Sequence, residues 1–260
     1  MVEVSELVEI IKQGGKEILL PAFGKVTAQT KADGSLVTQA DLDMNCYVEG
    51  RLKAEWPHIL FLSEEMSAQD HKALLETKQP LWIFDPLDGT TNFANAIPIF
   101  SVSLALVEDG KVSFGIVYDP IRDECFTAEA GKKSQLNGEE ILKPSTPSKL
   151  QDTVAIIDFK RLSDSLASKI VKKIPYTSQR SFGSGALDWC WLAIGRGHIY
   201  LHGRQNVWDY IAGQMILQQA HGKACSLEGE SVFNGQFKAN SVVAATTTEL
   251  FEQWRNWINT

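Results

Sequence analysis

The stretch WIFDPLDGTTNF, residues 82–93, decides the fold because an apolar run ends there abruptly in two carboxylates, Asp85 and Asp88. Such a run is typical of a buried strand, and the Pro-x-Asp-Gly after it predicts a turn at the strand's end. Asp-Gly between hydrophobic runs is also a common hairpin signal that needs no function, so both interpretations stay open on this stretch alone. In either case two acids lie together at an edge of the core.

Other acids also follow apolar runs, namely Glu64, Glu65, Asp41 and Asp209. Magnesium prefers oxygen ligands, usually one or two carboxylates with waters and substrate phosphate oxygens. A cluster of Glu64, Asp85, Asp88 and Asp209 would supply two or three such sites. Two ions about 3.5–4 Å apart can share a carboxylate and activate water against a phosphoryl group. The acids therefore indicate hydrolysis of a phosphate monoester.

The glycine and threonines of the same stretch fit a phosphate site. The backbone N–H groups of Gly89, Thr90 and Thr91 would point at a phosphate if a helix or turn begins there. The threonines can equally be a simple helix cap. Asp209, likewise, can serve only as a negative charge in the first turn of a helix.

Composition limits the classes of protein. The 260 residues, 44% hydrophobic, are enough for one large domain or two smaller ones. A net charge of −7 argues against a sequence-independent grip on nucleic acid, and a small anionic substrate would need cations to bind. The four cysteines are scattered, which suggests neither a zinc site nor disulfides. We see no leader and no apolar run long enough to span a membrane, so we expect a cytoplasmic protein.

The first half of the chain combines helices with strands. Helical spacing of apolar residues predicts an amphipathic helix at about 3–20, and a second helix is expected to follow Thr38, from about 40 to 55, and to end before Trp56-Pro57. Residues 100–107, 111–118 and 124–130 are strand-like and are joined by turn signals. This pattern is typical of an antiparallel meander, which would lie beside the strand that ends at Asp85.

The second half alternates between strands and helices after a linker rich in proline and serine at 143–148. We expect a strand at 153–157, helices at 163–172 and 186–194, a strand at 198–201, a helix at 209–220, a strand at 241–245 and a helix at 247–258. These elements predict an α/β or α+β chain of two subdomains. The first, residues 1–147, carries the antiparallel sheet and most of the acids; the second, residues 148–260, carries Asp209.

Four segments in this order and spacing resemble the inositol monophosphatase family of magnesium-dependent, lithium-sensitive phosphatases. They are KADGSLVTQAD (31–41), SEE (63–65), DPLDGTTNF (85–93) and WDYIAG (208–213). The resemblance covers nearly the whole chain, and its DPLDGT string is highly specific. It implies the layered α/β/α/β/α sandwich of the sugar phosphatase type, two or three Mg²⁺ ions, a small phosphorylated metabolite as substrate and a homodimer.

The resemblance also implies a set of metal ligands. Glu64, Asp85 and the main-chain carbonyl of Leu87 would hold the first ion. Asp85, Asp88 and Asp209 would hold the second. A third, weaker ion would touch Glu64 near the loop at 31–35.

Catalytic and phosphate-binding roles follow from the same resemblance. Thr90, paired with Asp41, would orient the attacking water, and Glu64 would join them in catalysis. Gly89 and Thr90 would cradle the phosphate through their backbone amides, beside Asp88. Glu65 is expected to support the site without binding metal.

The predicted substrate contacts depart from the family pattern. His202, seven residues before Asp209, stands where the family has a glutamate that contacts a substrate hydroxyl. Neutral imidazole can still accept one hydrogen bond. Arg204 would favour a second anionic group or an aromatic base, although it can equally be a solvated loop residue. Ser184 and Gly185 stand at the contacting positions of the other substrate loop.

The substrate class stays open at this point. The same catalytic apparatus serves three classes of substrate: inositol or other polyol phosphates, histidinol phosphate and 3′-phosphoadenosine nucleotides. The last two correspond to histidinol-phosphatase and 3′(2′),5′-bisphosphate nucleotidase activities. A different class of function is a non-catalytic regulatory protein that has kept the fold. Loss of a metal ligand would indicate it, and the sequence has all of them.

Overall fold

A computed structural model describes the chain at residues 2–31, 34, 36–75, 77, 79–142 and 144–260. Its α-helices are α1 (Val4–Gly14), α2 (Leu20–Ala22), α3 (Gln39–Glu55), α4 (Ala68–Leu75), α5 (Thr90–Ala94), α6 (Asp164–Lys172), α7 (Gly185–Ala193), α8 (Val207–Gln219) and α9 (Thr248–Asn259). A π-helical turn at Gly15–Leu19 joins α1 to α2. In the described chain, no helix has both the length and the apolar character needed to cross a membrane.

A seven-stranded sheet organises the first half of the chain. Its strands, in spatial order, are β3 (Leu60–Ser63), β4 (Leu81–Asp88), β5 (Ser101–Glu108), β6 (Lys111–Asp119), β7 (Glu124–Glu129), β8 (Gln135–Leu136) and β9 (Glu139–Glu140). Only the β3–β4 pair is parallel. The predicted meander is confirmed, and it lies beside β4 as expected. A small separate pair, β1 (Gln29–Thr30) and β2 (Leu36–Val37), precedes α3.

A five-stranded mixed sheet organises the second half. Its spatial order is β11 (Ser178–Arg180), β10 (Val154–Asp158), β12 (Ile199–Gln205), β14 (Asn240–Ala245) and β13 (Lys223–Cys225). β10 runs parallel to both of its neighbours, whereas β14 is antiparallel to β12 and β13. The predicted strands and helices of this half are all present within a few residues of their expected bounds, apart from β12, which continues to Gln205.

Five layers result from the packing of helices on these sheets. α1 and α3 cover one face of the seven-stranded sheet, α7 and α8 lie between the two sheets, and α6 and α9 cover the outer face of the five-stranded sheet. α7 and α8 are apolar on most sides because both of their faces are buried. The predicted α/β/α/β/α sandwich is therefore confirmed.

The strand was expected to end at Asp85, with the turn of the Pro-x-Asp-Gly signal following it, but the chain does not turn there. β4 continues to Asp88, and its pairing with β5 shifts register between these two acids. Pro86 lies in this irregular segment, where its missing N–H costs no regular ladder bond. Gly89 then leads into α5, so the stretch is not a hairpin turn.

Two sequence predictions lie partly outside the described residues. The proposed metal-binding loop at 31–35 includes Ala32, Asp33 and Ser35, and the proposed linker includes Lys143. The described remainder of the linker, residues 144–148, has no helix or strand. The division into residues 1–147 and 148–260 stays a prediction.

Candidate active site

Carboxylates from β4, from the segment after β3 and from α8 meet at one end of the seven-stranded sheet. Asp85 lies in the irregular part of β4, and Glu64 follows β3, where its amide donates to the carbonyl of Phe84 at 3.1 Å. Asp209 lies in the first turn of α8, and its Oδ2 accepts from the amide of Asn206 at 2.9 Å. Ligand atoms of Glu64, Asp85 and Asp209 all lie within 4.8 Å of one another.

The charges of these carboxylates are poorly compensated by the protein. Burial, opposed by Lys31, raises the pKa of Glu64 to about 7. Burial and then the neighbouring carboxylates hold the pKa values of Asp85 and Asp209 well above their usual range. Lys31 lies 3.5 Å from Glu64 and is closer, at 2.7 Å, to Glu65. Asp85 is buried and Glu64 and Asp209 are half-buried, and three such acids that share so little positive charge form a site that favours a cation.

This donor set fits Mg²⁺. It consists of hard carboxylate oxygens, which Mg²⁺ prefers, and it has neither the thiolates nor the imidazoles of a softer metal site. The Leu87 carbonyl lies in the same wall of the cleft, where it accepts from the Thr90 hydroxyl at 3.0 Å. The residues expected to bind the first ion are therefore brought together.

Asp88 is fixed by the second half of the chain. Its Oδ2 accepts from the Ser184 hydroxyl at 2.6 Å and from the amide of Ala186 at 2.7 Å. Asp88 lines the cleft together with Asp209. Ser184, predicted to contact substrate, is fully buried and instead orients Asp88.

Asp41 and Thr90 form the expected pair. Asp41 lies in the first turn of α3, and its Oδ2 accepts from the amide of Thr38 at 2.7 Å and from the Thr38 hydroxyl at 2.6 Å. Its Oδ1 lies 3.3 Å from the Thr90 hydroxyl. Burial raises the pKa of Asp41 to about 6, although the bonds from Thr38 oppose this shift. The carboxylate is thus held with one oxygen toward Thr90.

The acids form the floor of a cleft of about 600 Å³, a size that suits a small metabolite. Its lining includes these acids, the turn after β4 and three cationic side chains: Lys160, Arg161 and Arg204. Gly89 and Thr90 line it as expected. Gly185 is half-buried near Asp209, where its missing side chain leaves room for Gln205.

His202 is not part of the cleft lining. It is buried on β12, and its Nε2 lies 2.9 Å from Asp158 Oδ2. Its Nδ1 accepts from the amide of Arg204 at 3.1 Å. Because both ring nitrogens are engaged, His202 has no free hydrogen-bonding group for a substrate hydroxyl. Arg204, by contrast, reaches the cleft.

Lys160 and Arg161 were missed by the sequence reasoning. They follow β10, and ligands of open α/β sheets bind beyond the carboxyl ends of strands. Since a strand was predicted at 153–157, this rule could have identified the two cations. The short 3₁₀ turn that carries them, Phe159–Arg161, has no periodic signal of its own.

The layered α/β/α/β/α sandwich with a carboxylate cleft at a sheet end defines the class of the sugar phosphatases. The model of the inositol monophosphatase family matches residues 2–257. Inositol monophosphatase 1 of Solanum lycopersicum is 37% identical over 199 residues, which are 74% of this chain and 72% of the relative. The chain belongs to the inositol monophosphatase family and is a phosphoric monoester hydrolase.

Two further relatives illustrate the range of the family. Nus factor SuhB of Salmonella typhimurium is 32% identical over 209 residues, covering 78% of this chain and 76% of the relative. The 2′-AMP-bound structure of IMPase-II from Staphylococcus aureus superimposes with a TM-score of 0.82 at 26% identity. The superposition covers 97% of this chain and 92% of the Staphylococcus aureus chain.

Proposed function

We propose that the chain is a Mg²⁺-dependent phosphatase that hydrolyses a small phosphate monoester. The observation that carries the proposal is the convergence of Glu64, Asp85 and Asp209, whose ligand atoms lie within 4.8 Å of one another. Three carboxylates this close, one buried and two half-buried, repel one another unless a cation binds between them. Glu64, Asp85 and the Leu87 carbonyl would hold one ion, and Asp85, Asp88 and Asp209 a second.

The bound ions would supply Lewis-acid polarisation of the phosphoryl group and neutralise charge that develops on it. The chain itself supplies orientation. The Thr90 hydroxyl would donate its hydrogen bond to Asp41 if the Leu87 carbonyl were bound to a metal ion. The hydroxyl oxygen would then be free to accept a hydrogen bond from the attacking water. The backbone at Gly89 and Thr90 lines the place where the phosphate would lie.

Phosphate release from a panel of esters tests the proposal. We expect release in millimolar Mg²⁺ and a loss of about a hundredfold or more when EDTA removes the metal, because the floor acids alone repel a phosphate. Restoring Mg²⁺ should restore the rate. Equal rates with Mg²⁺ and with EDTA would contradict the metal requirement.

A matched pair of variants tests the role of Thr90 in catalysis. Thr90→Val removes the hydroxyl with little change in volume, and we expect kcat to fall about a hundredfold, in the range of lost general acid–base assistance. Thr90→Ser keeps the hydroxyl and should retain most of kcat. A Thr90→Val enzyme as active as Thr90→Ser would remove Thr90 from the mechanism. Steady-state kinetics at saturating Mg²⁺ make the comparison.

A regulatory role on the same fold is the second candidate, and the name of the Salmonella relative, a Nus factor, is the observation that favours it. Such a role would not need the floor acids. A metal-site variant such as Asp85→Asn separates the two functions, since it would lose turnover and keep partner binding.

We further propose a cytoplasmic homodimer. The cysteines Cys46, Cys125, Cys190 and Cys225 are all free thiols, which is usual in a reducing compartment. The dimer rests on the family resemblance and is measured directly by light scattering of the purified protein. A monomer at micromolar concentration would contradict it.

A further inference from the structure

We propose that the substrate carries a second phosphate group, which binds to Lys160, Arg161 and Arg204. We call these three residues the basic rim. The inference rests on the proposed phosphatase function, because the basic rim and the acidic floor belong to one cleft. The second phosphate would lie on the leaving group, whereas the acidic floor would face the phosphate that is cleaved.

The basic rim is not explained by pairing with the acids of the protein. In the part of the chain that the structure describes, none of its three side chains forms an ion pair, although nine other lysines, arginines and histidines do. All three side chains are exposed. A protein of net charge −7 thus places three cations that make no direct ion pair with a described residue around a single cleft, although Arg161 lies near enough to Asp209 to oppose the rise of its pKa. Such a cluster attracts an anion from solution.

Asp158 and His202 hold the segment that carries two of these cations. Asp158 Oδ1 accepts from the amide of Lys160 at 2.8 Å and so closes the turn after β10. Asp158 Oδ2 accepts from His202 Nε2 at 2.9 Å. His202 Nδ1 is an acceptor, which places the single proton of a neutral ring on Nε2. His202 therefore ties the β10 turn to β12.

Gly203 brings the two halves of the basic rim together. A side chain at this position would put its Cβ 1.7 Å from the carbonyl oxygen of Arg161, so only glycine allows the close approach. The Arg161 guanidinium in turn donates to the carbonyl of Arg204 at 3.4 Å. The basic rim is thus assembled by specific contacts between β12 and the β10 turn. Free surface cations would need no such framework.

The chemistry of the basic rim favours phosphate over hydroxyl groups. Guanidinium groups match phosphate oxygens through paired N–H donors, and an ammonium adds a point charge. The neutral hydroxyls of a polyol would gain little from three cations. The phosphate to be cleaved lies over the floor, so an anion at the basic rim must belong to the alcohol part of the ester. A bisphosphate satisfies both ends of the cleft.

Matched substrate pairs test this inference. We would measure kcat/KM for adenosine 3′,5′-bisphosphate against 3′-AMP, and for fructose 1,6-bisphosphate against fructose 1-phosphate. We expect the bisphosphate of at least one pair to be preferred about tenfold or more, mostly through a lower KM, which corresponds to about 1.4 kcal/mol. The preference should weaken as salt screens the exposed cations. A third pair, 2-phosphoglycerate against glycerol 2-phosphate, replaces the second phosphate by a carboxylate.

Variants of the basic rim connect the preference to its residues. Arg204→Gln and Arg161→Gln should each lower the ratio of the two kcat/KM values about threefold or more, and Arg204→Lys should recover part of it. Arg180→Gln is the control, because Arg180 is an exposed arginine on the same sheet that does not line the cleft. Its ratio should equal that of the unmodified protein.

The possible failures are distinct. Hydrolysis of monophosphates with no preference for either bisphosphate would overturn the inference and leave the proposed function intact. A preference that the rim variants do not change would also overturn it, as would a preference confined to phosphoglycerate. Absence of phosphate release from every ester in Mg²⁺ would overturn the proposed function and this inference with it.

Discussion

Asp85→Asn is expected to reduce kcat/KM at least about a thousandfold while making the metal-free protein more stable. Asp85 is central to the floor, and its charge is needed to hold cations against a phosphate. The same charge is buried and repelled by Glu64, Asp88 and Asp209. Asp85 Oδ1 accepts from the amide of Leu87 at 3.0 Å, a bond that asparagine can keep, so removing the repelled charge should raise the free energy of unfolding by about 0.5–2 kcal/mol in EDTA.

Asp119→Asn is the matched control. Asp119 is equally buried, but it pairs with Arg122 at 2.8 Å and accepts from the amides of Ile121 and Arg122, away from the cleft. We expect this variant to lose about 1–3 kcal/mol of stability, because it weakens satisfied charged hydrogen bonds, and to keep its turnover. Urea unfolding in EDTA and phosphate release in Mg²⁺ give both quantities. An Asp85→Asn protein that is less stable without metal would contradict the charge-repulsion argument.

Gly89→Ala should destabilise the fold by about 2–4 kcal/mol and remove most of the activity. Gly89 has a φ of 97°, in a left-handed conformation that costs other residues about 1–2 kcal/mol. Its Cβ would lie 3.1 Å from the Ile99 carbonyl oxygen and 3.3 Å from that of Gly183, and such crowding costs about 1–3 kcal/mol more. Relief of the crowding would displace the adjacent Thr90.

Gly110→Ala separates the two contributions. Gly110 also has a positive φ, 72°, but a Cβ there would meet no atom within 4 Å. We expect it to lose only about 1–2 kcal/mol, from the backbone conformation alone, with unchanged turnover. Urea unfolding measures the difference between the variants. Equal losses would show that the close packing around Gly89 has no energetic weight.

Sequence reasoning succeeded where the signal was local. The strands of the meander are long enough to show their pattern, and α3 begins at a capping box of Thr38 and Asp41 that is visible in the sequence. The floor acids were found because each follows an apolar run. Three-residue strands such as β11 and β13 are too short to show any periodicity.

Contacts between distant residues explain the remaining differences. Counting back from Asp209 placed His202 in the cleft, but the partner that turns it away, Asp158, lies 44 residues earlier. Ser184 was expected at the substrate from the family resemblance, but its hydroxyl donates to Asp88, which lies in the other half of the chain. No spacing rule within one segment reveals such a bond. The family resemblance supplied the layer order, which periodicity alone could not have provided.

The position of α8 links the assembly of the cleft to the closing of the core. This helix packs between both sheets and also carries Asp209 into the acidic floor. Docking the central layer therefore forces the acids together, and part of the packing free energy is opposed by their repulsion. A cation that binds only the folded cleft would offset that repulsion and raise the melting temperature. The thermal stability of this enzyme would then depend on the metal supply of its surroundings.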